Sequence, residues 1–352
     1  MSPIRTCLTL SCLLFATPVF AADLLSFDAD RNVFTMAPTI SKVTPGVVSI
    51  NTIESEEADG TSIGGIGSGV IIDANEGLIL TNDHVIEDAQ SITVVLSDRR
   101  RYDATIMGQD PETDLALLRI TAENLQAVKV YEDDATQVGD LVIAVGNPFG
   151  LSHTVTTGIV SAIGRRDDNP LGYTDLIQTD ASINPGNSGG ALVNSAGELI
   201  GINSAIVSRE SGGSGIGFAI PAHTFRAVAE QLENYGTVSR GSLGVMITPV
   251  TMDRMTELSL DNLNGALIVE VNSGGAASLA GLRVDDVVTE FAGRPIGNSS
   301  DLRYAVGLVR PNTVADVSYI RGGLQFSDRV TIQSKGIAKT VSYEVILDDP
   351  ES

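Results

Sequence analysis

The chain has 352 residues, 43% of them hydrophobic, enough for two or three packed domains. Its 44 acidic and 22 basic residues leave a formal net charge of −22. That balance argues against nucleic acid and against a basic membrane-surface patch, since both need clustered Lys and Arg; what it supplies is solubility.

Residues 1–22, MSPIRTCLTLSCLLFATPVFAA, read as an export leader. Arg5 precedes an apolar run from Cys7 to Phe20, and Val19-Phe20-Ala21 offers small residues where a signal peptidase cuts. The run is short for a span of roughly 20 apolar residues, and Pro18 interrupts it, so a membrane anchor is the lesser alternative. Cys7 and Cys12 are the only cysteines. The mature chain is therefore expected to be exported and without disulfides. Residues 23–45 read as an N-terminal arm.

From Val47 short Val- and Ile-rich runs alternate with Gly, Asn and Asp clusters: SGVII, GLILT, SITVVL, DLALLRI, DLVIAVG, GIVSAIG. This is the grammar of a mainly β barrel or sandwich. PAHTFRAVAEQLENYG (221–236), with Pro at its start and Gly at its end, is the first clear helix. It closes a first domain at 46–237. Two segments, 68–82 and 189–203, both read strand, Gly-containing turn, strand, Asn, and are expected to be equivalent hairpins of two similar barrels. Residues 238–347 mix strands with short helices near Ala276–Ala280 and Ser300–Val309, an α+β domain of typical size. The tail at 348–352 is acidic.

Of three histidines, His84 in LILTNDHVIE stands at a strand end, where rigid scaffolds present functional groups; His153 and His223 read as structural. Asp114 in PETDLALLRI heads an apolar strand, an odd place for an acid; Asp110 and Asp103 compete with it. Ser188 lies in INPGNSGGAL, too rich in Gly and Pro to be regular structure. GNSGG matches the G-x-S-x-G string of α/β-hydrolases, but a hairpin follows where that fold needs a helix. The order His84, Asp114, Ser188 is also wrong for it. It is the order of the chymotrypsin-type triad.

TNDHVI, DLALLRI, VGNPFG, GIVSAIGR, QTDASINPGNSGGAL and GIGFAIP together resemble the HtrA (DegP/DegS-type) serine proteases, over most of the chain from Val43. The resemblance implies a chymotrypsin-like double β-barrel followed by a PDZ domain. It casts Ser188 as nucleophile, His84 as general base and Asp114 as the group that orients the imidazole. The N–H groups of Gly186 and Ser188 would form the oxyanion hole. Ile183 would wall an apolar S1 pocket favouring Val or Ala, although Asp180 and Ser182 are near. Asn203, Ser204, Ala205 and Ile206 would pair with the substrate backbone. The loops 165–175 and 208–217 are candidate switches between inactive and active arrangements.

SRGSLGV (239–245) resembles a PDZ carboxylate-binding loop. Ser242, Leu243 and Gly244, leading into Val245, would offer N–H groups to a peptide C-terminus, and Arg240 would add charge. RVDD (283–286) departs from the family's Gly-Asp turn. One PDZ domain and a short 51–64 loop imply a simple homotrimer, with Phe27 and Phe34 of the arm as contacts. Neither cofactor nor metal is expected, and no P-loop string for ATP is present. The resulting expectation is an exported, ATP-independent endoprotease cleaving unfolded envelope proteins or one regulatory anti-sigma factor. The alternative is a catalytically silent chaperone or adaptor.

Overall fold

The computed structural model describes residues 26–56, 62–132, 135–148, 150, 152–165, 175–184, 186–204 and 215–335. The leader, the acidic tail, Ala205, Ile206 and most of the 165–175 and 208–217 loops lie outside these residues.

The short apolar runs form strands. Seven make one antiparallel sheet: β1 (Val47–Ile53), β2 (Ile66–Asp73), β3 (Leu78–Thr81), β4 (Ser91–Val95), β5 (Arg101–Asp103), β6 (Thr105–Asp110) and β7 (Leu115–Arg119). Their order is β6-β7-β3-β2-β1-β4-β5. Only Ala104 separates β5 from β6, so the chain itself joins the two ends of the order. Six more, β8 (Leu141–Gly146), β9 (Thr154–Arg165), β10 (Leu176–Thr179), β11 (Ala191–Asn194), β12 (Leu199–Ser204) and β13 (Gly217–Pro221), close into a barrel in the order β8-β9-β10-β13-β12-β11.

The two hairpins expected to be equivalent are not. β2 and β3 are the second and third strands of their sheet, whereas β11 and β12 are the fourth and fifth of theirs. The counterpart of β2–β3 is β9–β10, since in each unit the first strand pairs with the second and the second with the third. Strand–turn–strand patterning with a Gly in the turn recurs wherever a hairpin is built, so it carries no address within a barrel.

Continuous apolar runs, rather than alternating ones, mark strands covered on both faces. Neighbours such as Ile79 and Leu80 duly point to different cores. Ile79 joins Ile50, Ile71, Val94 and Leu118 inside the first sheet. Leu80 joins Val70 and Leu117 in the largest cluster, with Ile143, Val145, Val193 and Ile202 of the barrel. That shared cluster fixes the barrels against each other. The N-terminal segment is folded where described: a hairpin (Ser26–Asp28 with Val33–Thr35) leads into α1 (Ala37–Val43). After α2 (Asp83–Ile86), α3 (Ala222–Tyr235) packs Phe225, Val228 and Leu232 onto the same cluster. It ends at Gly236, whose φ of 71° suits a residue without Cβ.

The second unit contains β14 (Gly241–Ser242), β15 (Val245–Pro249), α4 (Met252–Glu257), β16 (Ala266–Val271), α5 (Ala276–Leu279), β17 (Val287–Phe291), α6 (Ser299–Leu308), β18 (Val314–Arg321), β19 (Leu324–Thr331) and β20 (Gln333–Ser334). β15-β16-β17-β18-β19 form its main sheet, and β14 pairs with β20. A capping box between Asn298 and Asp301 starts α6. The departure at 283–286 is accommodated: Asp285 takes the left-handed conformation at φ 74°. Fully buried Asp286 meets Arg321 at 2.6 Å. The two units touch where Gln231 Nε2 donates to Leu308 O at 3.2 Å and Thr224 shares a hydrogen bond with Tyr304.

Candidate active site

Strand register builds the first half of the site. β3 and β7 are antiparallel, with Ala116 opposite Thr81. Extending that ladder by two residues sets Asp114 opposite Asp83, beside His84. Asp114 O accepts from Asn82 Nδ2 at 2.9 Å, and its Oδ1 accepts from the His84 N–H at 3.1 Å. The same carboxylate meets His84 Nδ1 at 2.8 Å (Oδ1) and 3.0 Å (Oδ2), while the Ser204 hydroxyl donates to Oδ2 at 3.1 Å. Asp114 is 3% exposed and sits at φ 54°, a left-handed conformation that Asp tolerates better than most residues. An ionised carboxylate on Nδ1 holds the proton there and leaves Nε2 as the basic nitrogen.

The buried neighbour Asp83 accepts from Gln109 Nε2 at 3.0 Å. Desolvation lifts its carboxyl to about 6, and nearby Asp114, Glu87 and Asp110 push the same way against the Gln109 bond.

The Gly-rich turn supplies the second half. Ser188 is 4% exposed. Its carbonyl accepts from the Ser68 N–H at 2.9 Å, and the Ser68 hydroxyl donates to Gly186 O at 2.7 Å while accepting from the Asn147 N–H at 2.8 Å. Ser68 of β2 thus ties the turn to the first sheet. On the other side Gly189 N–H donates to Asn203 O at 2.9 Å. Gly189 has φ 77°, and a Cβ there would lie 2.3 Å from Ser68 O and 2.4 Å from Thr81 Oγ1. Only glycine lets the turn approach the end of β3, three residues before His84. Gly186 likewise has φ 105°.

The substrate-strand expectation changes here. Asn203 N–H donates to Gly190 O and its carbonyl accepts from Gly189, both at 2.9 Å, so neither group is left for a substrate strand. Ser204 contributes its hydroxyl to Asp114. Ile183 is 7% exposed in an apolar cluster with Val142, Ala144 and Ala219. The Asp180 carboxylate accepts from the Ile159 N–H at 2.7 Å, which holds it against β9. Sequence reasoning missed Ser68 and Asn82, and gave Ser204 to the substrate strand, not to Asp114; the small residues of GIGSGVII were the only local hint for Ser68.

A groove of about 510 Å³ lies between the edge strand β15 and α6, lined by Gly241 to Ile247, Leu302, Arg303, Val306 and Lys335. Arg240 does not line it, which corrects the charge expected there. Its guanidinium turns toward the first unit, 2.6 Å from Asp110 and 3.3 Å from Glu112, because those buried or half-exposed acids sit beside the linker. Gly244 N–H donates to Ser242 Oγ at 3.1 Å.

Comparison with known proteins places both units. Residues 67–202 match the family model of the trypsin-like peptidase domain and residues 241–332 that of the PDZ domain. The chain is 40% identical to the periplasmic pH-dependent serine endoprotease DegQ of Escherichia coli (strain K12), over 88% of this chain and 72% of that one. It is 45% identical to periplasmic serine endoprotease DegP of the same strain, over 76% of this chain and 57% of that one. Among solved structures, the HtrA-type protease AlgW with tripeptide is 38% identical at a TM-score of 0.67, covering 86% of this chain and 97% of that one. The serine endoprotease from Yersinia pestis is 37% identical at 0.57, covering 85% and 98%.

Proposed function

The chain is a serine endoprotease of the HtrA family, and on that premise we propose that Ser188 attacks the scissile carbonyl while His84 takes its proton. One observation carries the assignment: the Asp114 carboxylate holds His84 Nδ1 at 2.8 Å while a glycine turn bearing Ser188 closes on the same strand end. His84 then returns the proton to the leaving amine, and Asp114 stabilises the imidazolium between the two steps. The N–H groups of Gly186 and Ser188 receive the oxyanion. The boundaries that fit this reading are 46–237 for the protease and 238–347 for the PDZ domain.

We assign the substrates as unfolded polypeptides of the periplasm, to which the relatives' names and the leader at 1–22 both direct the chain. Among the described residues no helix is long and apolar enough to cross a membrane. The PDZ groove receives polypeptide C-termini; its edge strand β15 supports strand addition. Phe34, 69% exposed on the N-terminal hairpin, supports a homotrimer as apolar surface a second copy would cover.

The test compares the parent with Ser188→Ala on an unfolded, cysteine-free protein. Cleavage by the parent with at least a thousandfold loss in the variant is expected. Equal clearance by both, or holding of the substrate without cleavage by both, would replace this reading with the chaperone.

A further inference from the structure

The PDZ groove carries charge opposite in sign to the net charge of the chain. Its two charged lining residues, Arg303 and Lys335, are both cations, on a protein of formal net charge −22. Its apolar lining is regular. Val245 and Ile247 are two apart on β15 and share a face; Leu302 and Val306 are four apart on α6 and share a stripe.

The two cations sit at different distances along the groove. β20 pairs with β14, and the Lys335 N–H donates to Arg240 O at 3.0 Å, so Lys335 stands at the loop that opens the groove. That loop packs against the end of α6: a Cβ on Gly241 would lie 2.4 Å from Val309 O and 2.6 Å from Val306 O. Arg303 is three residues before Val306, or about 4.5 Å back along the helix axis. An added strand advances about 3.3 Å per residue, so Arg303 faces a position one or two residues before the peptide's last. Arg303 is exposed and free of core packing.

Resting on the reading of this groove as a receptor for C-termini, we propose that it selects peptides ending in an apolar residue with an acidic side chain one or two residues before it. Lys335 faces the terminal carboxylate and Arg303 the acid. Charge complementarity at a groove rim tunes choice among partners more than total affinity. The acidity of the rest of the chain opposes such peptides only at long range, and physiological salt screens that repulsion beyond about 8 Å.

The experiment measures fluorescence anisotropy of labelled decapeptides with the full chain carrying Ser188→Ala, so that the probe is not cut. The peptides share an apolar last residue and differ in Glu, Ala or Lys at the second and third positions from the end; each is made with a free and an amidated terminus. At physiological salt the Glu peptide is expected to bind about fivefold more tightly than the Lys peptide, the size of an exposed ion-pair effect. Arg303→Glu reverses that order, and Lys335→Glu weakens the free-carboxylate forms while leaving the amidated ones unchanged. Binding that needs the free carboxylate but ranks the three peptides equally overturns this inference alone, as does an order that survives Arg303→Glu. Binding by none of them, or equal binding of amidated peptides, overturns the reading of the groove as well.

Discussion

Arg240 is the residue through which the two domains are joined most expensively. Its guanidinium is 6% exposed and the Asp110 carboxylate 8%, with 2.6 Å between them. Water cannot replace either partner, and breaking a buried pair by removing one side costs about 3–5 kcal/mol. Glu112 is half-exposed and gains little from the contact, and Thr113 Oγ1 also donates to Asp110, so the lower end of the range applies. Arg240→Met keeps the length of the side chain and removes the charge. Urea unfolding followed by circular dichroism, in the Ser188→Ala background to prevent self-cleavage, should show a loss of about 3 kcal/mol. Adding Asp110→Asn removes the stranded carboxylate, and the double variant should recover about 2 kcal/mol relative to the sum of the singles. A loss under about 0.5 kcal/mol for Arg240→Met, or strict additivity in the double variant, would show that this contact behaves as a surface pair and refute the argument.

Asp83 makes stability depend on pH in a direction opposite to a salt-bridged acid. Its carboxyl is raised from 3.8 to about 6, so between those values the folded chain holds a proton that the unfolded chain releases. Its contribution is fully favourable below 3.8 and is lost as pH rises through 6. Asp83→Asn keeps the bond from Gln109, and denaturation at pH 4, 5, 6 and 7 (a series spanning the window of about two units) should show the variant gaining on the parent by at most about 3 kcal/mol at the top. A difference that is the same at every pH would locate the titration elsewhere. Ser204→Ala removes one bond to the Asp114 carboxylate and should lower kcat about tenfold with KM unchanged; an unaltered kcat in steady-state kinetics would mean the hydroxyl does not orient Asp114. Gly189→Ala drives a Cβ to 2.3 Å from Ser68 O at φ 77°. It should abolish labelling of Ser188 by a fluorophosphonate, and full labelling would show that the turn can shift to admit the methyl group.

What the sequence determined by itself is what neighbours along the chain decide. Val- and Ile-rich runs covered on both faces became strands, Gly236 ended α3, and the Asn298–Asp301 box began α6. His84, Asp114 and Ser188 could be singled out because each breaks its local pattern: an imidazole and an acid at strand ends, a serine among glycines. Tertiary structure alone decided which groups meet across long stretches of chain. Ser204 reaches Asp114 over 90 residues, Ser68 reaches Gly186 over 118, and Arg240 reaches Asp110 over 130. The same holds for Lys335, carried to the PDZ groove by the pairing of β20 with β14, and for the two hairpins that look alike yet occupy different barrel positions. Local composition sets whether a segment extends or coils. Register between strands far apart in sequence sets which side chains face each other, and no short window of residues contains that information.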